Sequence, residues 1–555
     1  MTSDRGIRHA ARRTGLRATA AVLPAAIAVL WPMASHGFSI DTGNADLTVR
    51  ADTSVRYNLG MRAEGVNDAF ARNAGYDETE TRFNAGDVVT NRIDLLEEID
   101  LIYRNRHGLR LSGAGWRDFA YDGSSHPAPG ISSSNYINSQ YNSYARKFIV
   151  GPRGEVLDAF VFTGFELGDV SVRMKLGQHN LYWGESLYTL ANSIAYSQGP
   201  VDTIKAATSP GSEAKELFMP LKQVSAAVQL THDLALEAQY LLDWKPFRLV
   251  PGGTYFASAD GSRSDYAAGT LPNGADITPE KKHGNWGINL RWSPTWLEGT
   301  LGVYYRKFDE RLPWSFTQLD GATPQAVRLA YARGTELYGI SLTKNLFSTS
   351  FGAEVSYRHN TALNAQAGYA VQGASYAAAE GPRGNTVHAL VNAVYLLPPT
   401  ALWVQGALQA ELTFAHLVSI NQNPGNRFYG AGNANCGAVN PAHACVTTNA
   451  WGMNLGFEPA WPLALPRTDL SLPISVGYGI KGVGATLGGV VENVYNYAIG
   501  VTAKVDGARH VVTLRWADSS VPYETNPATG IYTRSPSGAV QNNHGWVSLS
   551  YKTTF

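Results

Sequence analysis

The sequence predicts an all-β chain closed into an antiparallel transmembrane barrel of about 18 strands with an inward-folded loop. Three observations carry this: strict two-residue alternation in long segments, paired segments joined by tight turns and separated by long loops, and no long apolar run after position 40. From Leu47 to Met61 the odd positions Leu47, Val49, Ala51, Thr53, Val55, Tyr57, Leu59 and Met61 form the less polar face. The even positions carry Thr48, Arg50, Asp52, Ser54, Arg56, Asn58 and Gly60. A helix would mix these two sets at every turn, so period two means strand. Such a length exceeds the usual 5–6 residues of a globular strand and covers the roughly 9–11 needed to cross a bilayer at a tilt.

The pattern returns in couplets. Val170 to Leu176 follow the Gly168-Asp169 turn, and Val224 to Leu230 run into His232-Asp233 and come back from Leu234 to Trp244. Similar turns sit at Ser293–Trp296, Lys344–Leu346, Leu397–Ala401 and Asp506-Gly507. Long loops are expected near 62–90, 122–154, 182–221, 245–283 and 418–448. Short turns at one end and long loops at the other mark a membrane barrel, and an even strand count returns both termini to the periplasmic side. The final strand, with Val547, Leu549, Tyr551 and Phe555 on one face, resembles the C-terminal signal by which bacterial barrels engage their assembly machinery. Lipid cannot satisfy backbone N–H and C=O groups, so such a sheet must close. A propeller or solenoid would need an internal repeat, and none stands at a fixed period.

Composition agrees. Of 555 residues, 45 are Lys or Arg and 45 Asp or Glu, which argues against a dedicated nucleic-acid binder. Charged residues make up 16%, well below the ~25% of a soluble domain. Residues 1–37 read as a signal peptide: Arg5, Arg8, Arg12, Arg13 and Arg17, an apolar stretch from Ala18 to Met33, then Ser35 and Gly37 before an expected cleavage. A barrel cannot fold before it reaches a membrane, so the general secretory route is expected over the twin-arginine one. The two cysteines, Cys436 and Cys445, are expected to form a disulfide worth roughly 2–3 kcal/mol in an external loop.

Two places break the alternation. A strict register aims Glu97 at lipid, and a β-bulge at Leu96 and Glu97 is expected to turn it inward. Pro473, inside Leu470–Tyr478, removes a ladder N–H; it is either a tolerated bulge or a lateral opening toward the membrane. The inward faces carry both signs, among them Arg50, Asp52, Arg56, Arg92, Asp94, Arg173, Lys175, Arg291, Arg306, Glu354, Arg358, Arg509 and Arg515.

The segment 182–221 is too long and too mixed for a simple surface loop. It holds Trp183-Gly184-Glu185-Ser186, Pro200-Val201-Asp202 and Pro210-Gly211-Ser212-Glu213-Ala214-Lys215-Glu216. With Phe38-Ser39-Ile40-Asp41-Thr42 at the expected mature start and Gly253-Thr254-Tyr255-Phe256 further on, the chain resembles a family of proteobacterial outer-membrane proteins catalogued as domain of unknown function 1302. It departs from that pattern at Leu176-Gly177-Gln178-His179, which lacks the expected Arg before the Gln and aliphatic residue after it. The resemblance implies an outer-membrane barrel, associated with catabolism of hydrophobic compounds and with inner-membrane exporters of the resistance-nodulation type. It implies no reaction.

The residues of this loop are compatible. Trp183, Tyr188, Tyr196 and Phe218 offer apolar contact, while Glu185, Asp202, Lys205, Glu213, Lys215 and Glu216 can pin it to a charged wall. They form either a plug or a substrate-contacting constriction. No nucleophile motif or metal spacing appears, and His510 points outward as a lone surface histidine, so neither enzyme chemistry nor a cofactor is expected. The function expected is a channel or transporter for a hydrophobic or amphipathic small molecule, with a general diffusion porin or a structural, surface-binding barrel as alternatives. The partners expected are outer-membrane lipids and lipopolysaccharide, the assembly machinery through Phe555, and a periplasmic or inner-membrane exporter.

Overall fold

The structure, a computed structural model, describes residues 38–555 except 213, 268–269 and 437–443. The expected signal peptide lies outside the described residues.

Eighteen antiparallel strands form one closed meander. They are Leu47–Arg62, Val88–Tyr103, His107–Asp118, Arg153–Leu167, Val170–His179, Leu221–Gln229, Leu234–Leu241, Trp286–Trp292, Gly299–Phe308, Thr335–Leu346, Thr349–Ala362, Arg383–Leu397, Gln405–Gln422, Asn449–Leu465, the pair Thr468–Ser471 and Ile474–Lys481 acting as one, Tyr495–Val505, His510–Ser520 and Trp546–Thr554. Closure is made by the last strand, which pairs with both His510–Ser520 and Leu47–Arg62, with Tyr57 opposite Tyr551. Phe38–Ile40 continues that edge below the last strand, placing Ser39 opposite Arg50.

Alternation decides which way each side chain faces. In Val88–Tyr103, Ile93, Leu95, Ile99 and Leu101 lie on the exposed outer surface, while Arg92, Asp94, Leu96 and Glu98 are buried inside. Outward aromatic rings form a band across adjacent strands toward the long-loop end: Trp286 meets Tyr305 at 5.1 Å, and Tyr305 meets Tyr338 at 5.1 Å. Aromatic belts of this kind sit where hydrocarbon gives way to headgroups.

Both irregular places keep their register. Ser54 pairs with Leu96 and Thr53 with Glu97, so the bulge expected at Leu96 and Glu97 is absent. Leu96 points inward and packs with Ala114 and Leu157, whereas Glu97 faces outward and accepts the Thr53 hydroxyl at 2.5 Å. A cross-strand hydroxyl thus meets the carboxylate without breaking the ladder. At Pro473 the ladder also runs through without a shift, from Ser471 opposite Thr502 to Ile474 opposite Ile499. Gly500 N–H donates to the Pro473 carbonyl at 2.9 Å and Leu472 N–H to that of Pro459 at 3.0 Å, so the wall is closed here. Arg509, expected inside, lies instead in the turn after Val505, over the Phe555 ring. Cys436 and Cys445 form the disulfide in a loop at the long-loop end.

Leu514 sits on the outer face at 52% exposure, within the lipid-facing band, and Leu463 lies near a short turn at the rim. Leu514→Arg should therefore cost about 2–4 kcal/mol and Leu463→Arg about 0–1 kcal/mol. Urea titration of the chain folded into liposomes measures both, and equal costs would contradict the depth assignment.

Candidate functional site

A barrel of this width leaves a lumen that something must fill or line. After Val170–His179 the chain turns inward. Residues 180–220 cross the lumen, and their first half contacts one side of the wall while their second half contacts the opposite side.

The first half is held by its backbone. Glu354 accepts N–H groups from Glu185, from Ser186 at 2.9 Å and from Ile194 at 2.6 Å. Glu411 accepts those of Leu187 at 2.6 Å, Tyr188 at 3.3 Å and Thr189 at 2.8 Å. Guanidinium groups take the carbonyls: Arg306 donates to Ile194 and Tyr196, Arg358 to Ser193, and Arg311 to Ser197, all within 3.1 Å. An irregular segment carries unpaired donors and acceptors that cannot be left buried and unmet. Anionic wall residues meet the donors and cationic ones the acceptors. Gly184 is needed at this point: its φ is +101°, and a Cβ there would fall 2.4 Å from Glu354 Oε1.

Side chains add to this. Trp183 is 3% exposed and packs against Tyr304, with room left by Gly287, whose Cβ would meet the indole at 2.8 Å. The Glu185 carboxylate accepts from Ser341 at 3.2 Å, and Asn392 donates to the Glu185 carbonyl at 2.7 Å. Tyr188 donates its hydroxyl to Gln409 at 2.8 Å.

The second half is held by ion pairs. Asp202 caps the helix Thr203–Thr208, accepting from Lys205 N–H at 3.0 Å, and pairs with Arg248, which also holds Glu155 at 2.7 Å. Glu216 lies 2.6 Å from Arg56 and 3.0 Å from Lys205. Against the burial that would raise it, these two cations hold the Glu216 carboxyl well below its usual range. Ser209 donates to Asp94 at 2.8 Å, and the Phe218 ring lies tilted against Tyr182 with centroids 4.1 Å apart. Glu213 lies outside the described residues, as does the side chain of Lys215. Sequence reading missed Glu411 and Arg311. A carboxylate on the inner face of Gln405–Gln422 was a visible signal for the first; nothing local marks the second, which lies beyond its strand.

The loops expected as external at 62–90, 122–154 and 245–283 fold together over the long-loop mouth. Tyr136, Tyr141 and Tyr144 donate their hydroxyls to the carbonyls of Gly252, Gly253 and Leu249 at 2.8, 2.7 and 2.8 Å. Phe83, Tyr121, Tyr255, Phe256 and Trp546 complete a buried aromatic cluster that reaches Ile204 of the lumenal segment. Beneath it, His544 joins Glu80 at 2.7 Å, and Glu80 joins Arg62 at 2.7 Å. Asp260 accepts the N–H groups of Glu78 at 2.9 Å and Thr79 at 2.8 Å. Burial, with Glu78 and Asp77 nearby, pushes the Asp260 carboxyl up to about 8 against these donors.

A family model described as "Protein of unknown function (DUF1302)" matches residues 18–555. The chain belongs to this family. No curated protein matches it. Among solved structures, the DUF1302 chain is similar to Acinetobacter baumannii OccAB2 at 9% identity and TM-score 0.44, over 91% of this chain and 98% of that one. Pseudomonas aeruginosa OccK1 (OpdK) aligns at 9% identity and TM-score 0.41, and P. aeruginosa OccK2 (OpdF), solved in complex with glucuronate, at 12% and 0.39. Each of these two covers 91% of this chain and 98% of its own.

Two outcomes are expected. Hydrogen bonds to a charged group contribute about 1.5–3 kcal/mol each, so Glu411→Ala should speed amide exchange at 187–189 at least tenfold while Glu97→Gln leaves it unchanged. Exchange mass spectrometry reads this directly. For the loop cap, the native Asp260 keeps a proton that an opened loop releases above about 4, so its contribution to stability falls as pH rises toward about 8. Burial keeps His544 neutral despite Glu80, and that group acts in the opposite sense only below its ordinary value of about 6.5. Limited proteolysis of 63–87 should therefore quicken from pH 7 to pH 9, and Asp260→Asn should flatten the profile.

Proposed function

We propose that this DUF1302 chain is an outer-membrane channel for a hydrophobic or amphipathic small molecule, with 182–221 as its internal plug. The observation that carries the reading is how the segment is held. Its backbone bonds to charged wall residues, and its acids Glu216 and Asp202 pair with Arg56 of the wall and Arg248 of a loop, so water or a solute can replace these contacts one at a time. An apolar plug core would have no such exchange partner. The outward apolar band, the aromatic belt and the closed ladder support a bilayer location, and the start of the first barrel strand and the end of the last, both at the short-turn end, support a periplasmic start and finish of the barrel.

The two mouths differ. Arg50, Arg173 and Lys175 are exposed to the lumen toward the short-turn end, while the opposite mouth carries the buried aromatic cap. That asymmetry favours a gated, selective passage over a general diffusion pore. The last strand ending at Phe555 is the expected docking signal for the assembly machinery, and an exporter on the periplasmic side remains the partner the resemblance suggests.

Deleting residues 186–215 should raise single-channel conductance in planar bilayers; unchanged conductance would remove the plug from the account. A strain lacking the gene should grow more slowly on a hydrophobic carbon source, and normal growth would favour a structural or surface-binding barrel.

A further inference from the structure

Between the lumenal segment and the wall lies a small bay of about 30 Å³. The turn Ser209-Pro210-Gly211-Ser212 forms one side, beside Ser550, whose hydroxyl reaches the Pro210 carbonyl at 3.4 Å. Arg515, Ala517 and Trp546 form the other, and Ala206 and Leu217 add apolar surface. In the ladder Arg515 stands between Gly500 and Ser548, two small neighbours that leave its guanidinium room on the inner face.

The arginines that hold the lumenal segment are engaged. Arg56 donates to Ser212 and Glu216, Arg306 to Ile194 and Tyr196, and Arg358 to Ser193. Arg515 differs. Its guanidinium has no hydrogen-bond or ion-pair partner among the described residues. Trp546, 3% exposed, has an indole Nε1 with no acceptor among them either. Inside a protein, a cation and an N–H donor are ordinarily met by an acceptor, and the planar fork of arginine suits the two oxygens of a carboxylate.

We propose that this bay is a subsite for a carboxylate carried on an apolar skeleton, with Arg515 holding the carboxylate and Leu217, Ala206 and Trp546 meeting the skeleton beside it. The proposal rests on the channel reading above and names the head group of the molecule moved. The volume admits the head group and little more, so the rest of the ligand extends along the seam between segment and wall. Because the Pro210–Ser212 turn forms one side, an occupant touches the plug and the barrel together.

Titration calorimetry of the full chain in detergent tests it, with cyclohexanecarboxylate as probe and cyclohexanecarboxamide and acetate as controls. The acid should bind at least tenfold more tightly than either control. Arg515→Gln should weaken the acid at least tenfold, Arg515→Lys less, and Ala517→Leu, which fills the bay and leaves Arg515 in place, should also weaken it. Heat-shifted migration on a gel verifies that each variant is folded. Equal binding of acid and amide, equal binding of acetate, no binding by the unaltered chain, or acid binding that survives both Arg515→Gln and Ala517→Leu would overturn the subsite. The two readings fail separately. Higher conductance on deleting 186–215 without acid binding leaves the channel and removes the subsite, whereas Arg515-dependent acid binding without a conductance change does the reverse.

Discussion

Every backbone N–H and C=O in a membrane wall must find its partner within the protein, because hydrocarbon offers none. The pairing of Trp546–Thr554 with Leu47–Arg62 satisfies that demand by removing the last free edge. Much else follows from keeping the ladder whole. Glu97 stays on the outer face with a Thr53 hydroxyl as partner, where a bulge would have disrupted pairing along two strands. Pro473 withholds one donor, yet its own carbonyl still accepts from Gly500, so the register on both sides survives.

The same demand reappears inside, with a different answer. The segment 180–220 has little regular structure, so its backbone cannot satisfy itself. Wall charges of both signs meet it, Glu354 and Glu411 taking amides while Arg306 and Arg358, with Arg311 just beyond its strand, take carbonyls. A lumen lined with one sign could serve only half of those groups. The equal totals of acidic and basic residues fit a barrel whose wall binds its own lumenal chain.

The two ends of the barrel are therefore chemically unlike. One mouth is covered by loops whose tyrosine hydroxyls and aromatic rings tie them into a single layer, resting on the Arg62–Glu80 ion pair and the His544 ring bonded to Glu80. The other end leaves basic side chains exposed within the lumen. A solute moving between them would meet the seam between segment and wall, where Arg515 stands without a partner among the described residues.

The strands, their inward and outward faces, the closed architecture and most of the lumenal anchors could be read along the chain, because alternation is a local property that each strand repeats. Trp183, Glu185, Tyr188, Asp202, Lys205, Glu216 and Phe218 were visible as a mixed segment too long for a turn. What they touch was not. Glu354 and Glu411 lie more than 150 positions from the amides they accept, and only the closure of the sheet brings them together. The register at Glu97 depended on Thr53 across the strand pair, and the folding of the tyrosine-bearing loop 119–152 onto 249–253 depended on which mouth they share. Local pattern determined the fold of the wall; the pairing of distant charges and loops was decided by the barrel's closure, since a hydrogen bond needs its partner in space and not in sequence.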